Sequence, residues 1–169
     1  MHRHLDEELE ELRRRLVEMG TVVESMIRFS IRTLLERDES LCEEGHRRET
    51  EVDRREMDID DRAIKLTALQ QPVGSDIRFL FMATRITSEL ERIADQAVNI
   101  CQNAHFLLQA PPLKPFVDIP IMADVVQTMV RESLQALVNK DCALAQRILD
   151  EDARVDAFKD QVFRELLTY

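Results

Sequence analysis

The sequence predicts an all-α protein. Only 3 Gly and 5 Pro occur in 169 residues, which leaves little material for turns. The chain is rich in Leu, Ile, Met, Glu and Arg, which favour helices, and its β-branched residues do not cluster. Apolar residues recur three and four positions apart over long segments, as expected for amphipathic helices. The length corresponds to about one domain of packed helices.

The charge restricts the class of partner. The net charge is −10 and 33% of the residues are charged. Nucleic acids and anionic membranes bind basic patches, so this balance disfavours both and favours cations or basic proteins. The first residues lack the apolar segment of a signal peptide, and no run approaches the roughly 18 apolar residues of a membrane span. We therefore expect a cytoplasmic protein that meets membranes only through partners.

The cysteines show no metal or redox spacing. Cys42, Cys101 and Cys142 are odd in number, lie within helical patterns and form no CxxC pair. We expect all three to be buried free thiols in a reducing compartment.

The first helix is predicted over 5–37. Gly20 lies inside this helix, where glycine costs about 1 kcal/mol relative to alanine, so it indicates a place where another helix approaches closely. The apolar stripe steps by three and four, as in a bundle helix, and comprises Leu5, Leu9, Leu12, Leu16, Met19, Val23, Met26 or Ile27, Ser30 and Leu34.

The second helix is predicted over 39–70, with Asp38 as its N-cap. It is very polar between 43 and 56, so most of its circumference should face solvent. Pro72 and Gly74 end it, and Ser75 or Asp76 should cap the third helix. Its apolar positions are Leu41, Val52, Ile59, Ala63, Leu66 and Leu69.

The third helix belongs to the longest apolar segment, 77–108, and carries two acids of interest. Glu91 and Asp95 lie one turn apart at the margin of its apolar face, where two carboxylates repel each other. Either a cation or a neighbouring Lys or Arg could compensate, and the spacing alone leaves both open. The predicted buried face comprises Ile86, Leu90, Ile93, Ala97, Ile100 and Ala104.

The rest of the chain divides into a linker and two helices. Four prolines in 111–120 predict a semi-rigid, non-helical linker. A fourth helix follows over 122–138, and Asp141 should cap a fifth that runs to the end. We therefore divide the chain into a first three-helix unit (1–110), a linker (111–120) and a second unit (121–169).

The second unit repeats the first. With an offset of 103 residues, ten of the 43 positions in 22–64 are identical to those in 125–167, and Asp38 falls on Asp141. A helical hairpin of this length leaves an apolar face open, which the third helix closes in the first unit. The counterpart of that helix would fall beyond Tyr169, so we expect the second unit to be truncated and to lack its last helix.

Two motifs carry a resemblance to a known family. The turn QQPVGSDIR (70–78), followed by LERIAD (90–95) and Asn99-Ile100, resembles the PhoU family of bacterial phosphate-signalling proteins, although Ala94 stands where the family usually has Gly. The resemblance covers the whole chain. It implies two three-helix bundles side by side and a regulatory protein without catalytic activity.

The resemblance also implies partners. Such proteins couple the ATPase subunit of the high-affinity phosphate ABC transporter to a sensor histidine kinase, and they repress uptake and the phosphate-starvation response when phosphate is plentiful. A homodimer is expected. The alternatives are a regulator of a different phosphate permease and a general metal-binding helical scaffold. A carboxylate-bridged di-metal enzyme would need two Glu-x-x-His pairs, and the chain offers one partial match at His46.

Metal is the predicted cofactor. Some family members hold iron or zinc clusters on E(D)xxxD motifs, which implies Glu91 and Asp95 as ligands and Asn99 as a third group. Carboxylates alone favour Mg, Mn or Fe, and the resemblance implies iron or zinc; an Fe, Zn or Mn cluster is therefore the expectation. A solvated acidic face is the alternative for the other acids, which share helix faces by their spacing. These further candidates are Asp53, Glu56 and Asp60 on the second helix and Asp152, Asp156 and Asp160 on the fifth.

Overall fold

The fold is all-α, as predicted. The computed structural model describes residues 2–168, and that part contains no strand. Its helices are α1 (His2–Glu36), α2 (Ser40–Gln70), α3 (Ser75–Leu108), α4 (Asp118–Asn139) and α5 (Cys142–Leu166). None of these helices, over the same residues, is long and apolar enough to cross a membrane.

The first bundle is formed by α1, α2 and α3, which pack against one another along their lengths. The predicted stripe of α1 supplies the largest share of its core, and both Met26 and Ile27 are buried. Three of the core positions on α3 are alanines, which let α3 approach the other two helices closely. The core side chains include Leu12, Leu16, Met19, Val23, Val52, Ile59, Leu80, Ala83, Leu90 and Ala94.

The second unit is attached through α4, which packs on α1, whereas α5 packs on α4 alone. Gly20 faces Leu134, and one turn later Glu24 pairs with Arg131 at 3.2 Å. Position numbers rise along α1 and fall along α4 between these contacts, so the two helices are antiparallel. The predicted close approach at Gly20 is confirmed.

The repeat is visible in the backbone. Arg37 and Lys140, 103 residues apart, adopt left-handed φ angles of 56° and 55° at the ends of α1 and α4. Asp141 then caps α5 as predicted, because its carboxylate accepts the N–H of Leu144 at 2.9 Å. The predicted cap of α2 is wrong by one position. Glu39 is the N-cap, and the preceding Asp38 accepts a hydrogen bond from the N–H of Ser40 at 3.0 Å.

Two predicted boundaries are wrong. Ser75 and Asp76 lie inside α3, and Gly74 with a φ of 59° occupies the N-cap position. Pro120 lies in the first turn of α4, which begins at Asp118 rather than at 122. The first N–H groups of a helix have no acceptor within it, so a proline there breaks no hydrogen bond.

The buried face of α3 is rotated from the predicted one. Leu90, Ala97 and Ala104 are buried as predicted. The predicted Ile86, Ile93 and Ile100 are only partly buried, whereas Ala94 and Val98 are buried. Small side chains let α3 approach α1 and α2, and the isoleucines turn toward the edge of the bundle. Ile86 and Ile93 line a groove that α4 and α5 border on its other side.

The thiols differ in exposure. Cys101, a residue of α3, is buried against the start of α2. Cys42 is half-buried, but Cys142 is exposed. The prediction that all three are buried is therefore wrong for Cys142. This residue begins α5, which packs against one helix only.

Candidate functional site

A line of carboxylates runs along the groove between α2 and α3. We call it the acidic seam and define it as Asp53, Glu56, Asp60, Glu91 and Asp95. Its register is set by two hydrogen bonds from α3. The Thr87 hydroxyl donates to the Asp60 carboxylate at 3.2 Å, and the Ser88 hydroxyl donates to Glu56 at 2.8 Å.

Glu91 lies at the centre of the seam. Burial raises the pKa of its carboxyl above the usual range, and the negative charges of Asp95, Glu56 and Asp53 raise it further. A hydrogen bond that the protonated Glu91 carboxyl donates to the neighbouring Asp95 carboxylate acts in the same direction. Acids from two helices therefore share one local field, in which a full set of negative charges is unfavourable.

The seam acids differ from most other acids of α2 in their partners. Glu44 and Glu51 pair with arginines at i+4, Asp58 pairs with Arg15 and Arg62, and Asp61 pairs with Lys65. Within residues 2–168, no seam acid forms such an ion pair. Arg92, which lies between Glu91 and Asp95 in sequence, pairs instead with Glu89 on the outer face, as expected from its position.

Among the residues that the structure describes, therefore, no Lys or Arg forms the compensating ion pair with Glu91 or Asp95 that the sequence left open. Carboxylate oxygens and a negative local charge suit a hard cation. As the side chains stand, however, no three Asp, Glu, His or Cys groups in the described part of the chain lie close enough to hold one metal ion. The donor chemistry fits a metal, and a third carboxylate, Glu56 or Asp53, would have to move toward Glu91; Glu56 would leave Ser88 to do so.

The remaining candidates lie apart from the seam centre. Asn99 is exposed one turn beyond Asp95 on α3. Asp156 pairs with Lys159 at 2.6 Å, and Asp160 is exposed. Both belong to α5, which packs on α4 only, so the structure does not bring them near Glu91. Their surroundings match the alternative of a solvated acidic face.

Sequence reasoning missed two residues of the seam. Thr87 is fully buried and Ser88 is exposed, and both hold acids of the opposite helix. The sequence feature that indicates them is Thr87, a polar residue between Ala83 and Leu90 on the face of α3 that packs into the bundle. A buried hydroxyl needs a hydrogen-bond partner, which indicates a polar group facing it.

Known proteins resemble this chain over most of its length. A family model described as "PhoU domain" matches residues 16–104 and 119–169. The chain is 36% identical over 165 residues to the phosphate-specific transport system accessory protein PhoU homolog of Aquifex aeolicus, covering 98% of this chain and 75% of that protein. It is 33% identical over 169 residues to PhoU homolog 2 of Thermotoga maritima, covering 100% of this chain and 72% of that protein.

Solved structures show the same fold. PhoU from Pseudomonas aeruginosa superposes with a TM-score of 0.91 at 29% identity, covering 97% of this chain and 79% of that one. The phosphate transport system regulatory protein PhoU from Streptococcus pneumoniae gives a TM-score of 0.87 at 22% identity, covering 97% and 77%. At that identity the second likeness concerns the fold alone.

Proposed function

Because this chain belongs to the PhoU family, we propose that it is an accessory protein of a phosphate-specific transport system. The observation that carries the proposal is the match of the family across both repeats, 16–104 and 119–169. The names of the Aquifex and Thermotoga relatives support it, since both are accessory proteins of such a system.

The role we propose is that of a regulatory adaptor without a catalytic step. It couples the ATPase subunit of the transporter to a sensor histidine kinase, and it restrains uptake and the phosphate-starvation response when phosphate is plentiful. The net charge of −10 disfavours direct binding of a phosphate anion, which supports indirect sensing of phosphate through protein partners. The adaptor acts in the cytoplasm and reaches the membrane through these partners.

A divalent cation at the acidic seam is part of this proposal. Glu91 and Asp95 would hold the cation, together with Glu56 or Asp53 from α2 and with Asn99. The cation would supply positive charge at the seam. Support comes from the raised pKa of Glu91 and from the absence of ion pairs at the seam acids among the described residues. Binding there joins α2 to α3 and removes the repulsion within the seam.

A homodimer also belongs to the proposal. Exposed apolar side chains on α5, including Leu149 and Phe163, support self-association because they would leave water on assembly. Light scattering on the purified chain tests it: a mass of twice 19.7 kDa is expected, and a monomer at micromolar concentration contradicts it.

Partner capture tests the main proposal. The immobilised chain is challenged with the purified ATPase subunit, with the cytoplasmic part of the kinase and, as a specificity control, with cytoplasmic segments of an unrelated phosphate permease. Each is measured with Mn²⁺ and with a chelator. Binding to the first two supports the adaptor role. Binding only to the permease favours the alternative of a different transport system, and binding to none contradicts the adaptor role.

A further inference from the structure

An apolar groove adjoins the acidic seam on the side of the α2–α3 turn. We call it the α2–α3 groove; its volume is about 510 Å³. Ile64 and Phe81 stand on its two sides with 65% and 64% of their surfaces exposed. Its lining comprises Asp60, Ala63, Ile64, Thr67, Ala68, Leu80, Phe81 and Thr84.

Exposed apolar side chains continue from the groove to the turn. Leu69, predicted as part of the apolar face of α2, is 75% exposed, and Val73 in the turn is equally exposed. Both helices beneath the groove pack firmly on α1, so the groove has a rigid floor. Large apolar groups gathered at one end of a bundle, rather than scattered, are typical of an interaction surface.

The groove and the acidic seam form one continuous surface. Asp60 belongs to both, since it lines the groove and accepts the hydrogen bond of Thr87. From Phe81 to Asp95 the distance along α3 is about 21 Å, at 1.5 Å per residue. A helix of about four turns would span the groove and the seam together.

We propose that the groove and the seam together bind one amphipathic helix of a partner protein, with apolar residues in the groove and Lys or Arg over the seam. This deepens, and rests on, the proposed adaptor function, because it names the surface that meets a partner. Charge complementarity is the argument. The seam acids lack ion pairs among the described residues, while most other acids of α2 have them.

The charges beside Phe81 give the bound helix an orientation. Arg78 and Arg85 are exposed; Arg78 lies one turn before Phe81, toward the α2–α3 turn, and Arg85 lies one turn after it, between Phe81 and Glu91. Positive charge therefore flanks Phe81, and negative charge lies at the seam end. A helix basic at one end only fits this distribution. The basic residues of such a helix and the divalent cation of the proposed function would compete for the same carboxylates, so Mn²⁺ should weaken binding of the lysine peptide and a chelator should not.

Designed peptides provide the first test. The probe is an 18-residue amphipathic helix with a leucine stripe and lysines confined to one half, and its counterpart carries glutamates in their place. Affinity for the whole chain is measured by fluorescence anisotropy. We expect the lysine peptide to bind about tenfold more tightly or better, with salt weakening it. Equal binding of both peptides would overturn the proposal.

Surface variants locate the binding. Ile64→Asp with Phe81→Asp should weaken the lysine peptide about tenfold or more, because both side chains would lose their apolar contacts. Glu91→Gln with Asp95→Asn should weaken it severalfold and reduce the salt dependence. Phe106→Asp with Leu113→Asp, at the far end of α3 and in the linker, is the matched control, because these side chains are 69% and 62% exposed, and it should leave binding unchanged. A control that weakens binding as much as the groove variant would contradict this location.

The natural partners separate this proposal from the adaptor function. Wild type and the groove variant are compared for binding to the ATPase subunit and to the cytoplasmic part of the kinase. Loss of either interaction in the variant, with a thermal transition like that of wild type, supports the surface. If the partners bind wild type and variant equally, the surface is wrong and the adaptor function stands. If neither partner binds wild type, the adaptor function is wrong, and the peptide measurements alone test the proposed surface.

Discussion

Leu134 of α4 occupies the space above Gly20 of α1, so that a Cβ on Gly20 would overlap the Leu134 Cδ1 atom. Leu134 is itself buried, which limits its freedom to move away. This contact joins the two repeats. Gly20 is accommodated inside a long helix because the Leu134 side chain of α4 fills the space that a side chain at position 20 would occupy.

Gly20→Leu should therefore destabilise the protein by about 1–3 kcal/mol, since overpacking exceeds the gain in helix propensity. Urea unfolding measures the change. Adding Leu134→Ala should recover part of the loss, because the two sites are coupled. Thr21→Leu, on the exposed neighbouring position, is the control and should not destabilise. Additive effects of the two substitutions would show that Leu134 is not the obstacle.

The two left-handed helix ends should respond differently to glycine. Lys140 has a φ of 55° and its side chain is exposed, so Lys140→Gly should stabilise by about 0.5–1 kcal/mol. Arg37 has the same backbone, but its guanidinium donates to the carbonyls of Leu108 and Ala110. Arg37→Gly loses these bonds between α1 and the end of α3 and should give no gain. Thermal melts of both variants measure these changes in stability, and equal shifts of the transition temperature would contradict the predicted difference.

Stability should depend on the protonation of Glu91. Its pKa is raised in the folded protein by burial and by Asp95, Glu56 and Asp53, so the folded state binds more protons than the unfolded state at pH values above about 4.5. Stability due to this group is present below the unfolded pKa and is lost as the pH rises through the folded pKa. Glu91→Gln should therefore raise the urea midpoint at pH 7 and leave it unchanged at pH 4.

The control for that experiment is Glu89→Gln. Glu89 is exposed and pairs with Arg92, and exposed pairs contribute about 0–1 kcal/mol. This variant should show no gain at pH 7. An equal increase in both variants would mean that the loss of negative charge, rather than the position of Glu91, is responsible.

Metal binding should depend on the acidic seam. The chain is purified with and without oxygen, loaded with Mn²⁺, Fe²⁺ or Zn²⁺ and desalted, and the metal per chain is measured. Glu91→Ala with Asp95→Ala should abolish retention. Glu43→Ala with Asp61→Ala removes the same charge from exposed, ion-paired acids and should retain metal as wild type does. Equal, negligible metal in all three proteins would remove the ligand role.

The three thiols should react with iodoacetamide in order of exposure. Cys142 is exposed and should be alkylated first, followed by the half-buried Cys42. Burial and the adjacent Cys42 thiol raise the pKa of Cys101 to about 12, so very little thiolate is present at pH 8. Mass spectrometry of time points should show Cys101 modified only after urea is added. Early modification of Cys101 would contradict the packing of α2 on α3.

Features that depend on nearby residues were predictable. The stripe of α1, the cap at Asp141 and the repeat with an offset of 103 follow from spacing and residue type, which act within a few turns of helix. Gly20 was also informative, because a glycine inside a long helix needs a reason. The spacing of Glu91 and Asp95 drew attention to two acids one turn apart, and Glu91 shares its field with acids of another helix; their role as metal ligands stays a prediction.

Other features were decided only by packing. Asp53, Glu56 and Asp60 have nearly the same spacing as Asp152, Asp156 and Asp160, and spacing is all that a single helix reveals. The first set joins Glu91 because α3 packs on α2, and the second stays exposed because α5 packs on α4 alone. The rotation of α3 that half-buries Ile86 and Ile93 has the same origin. Helical periodicity sets which side chains share a face, whereas burial and shared charge depend on the helix that lies opposite.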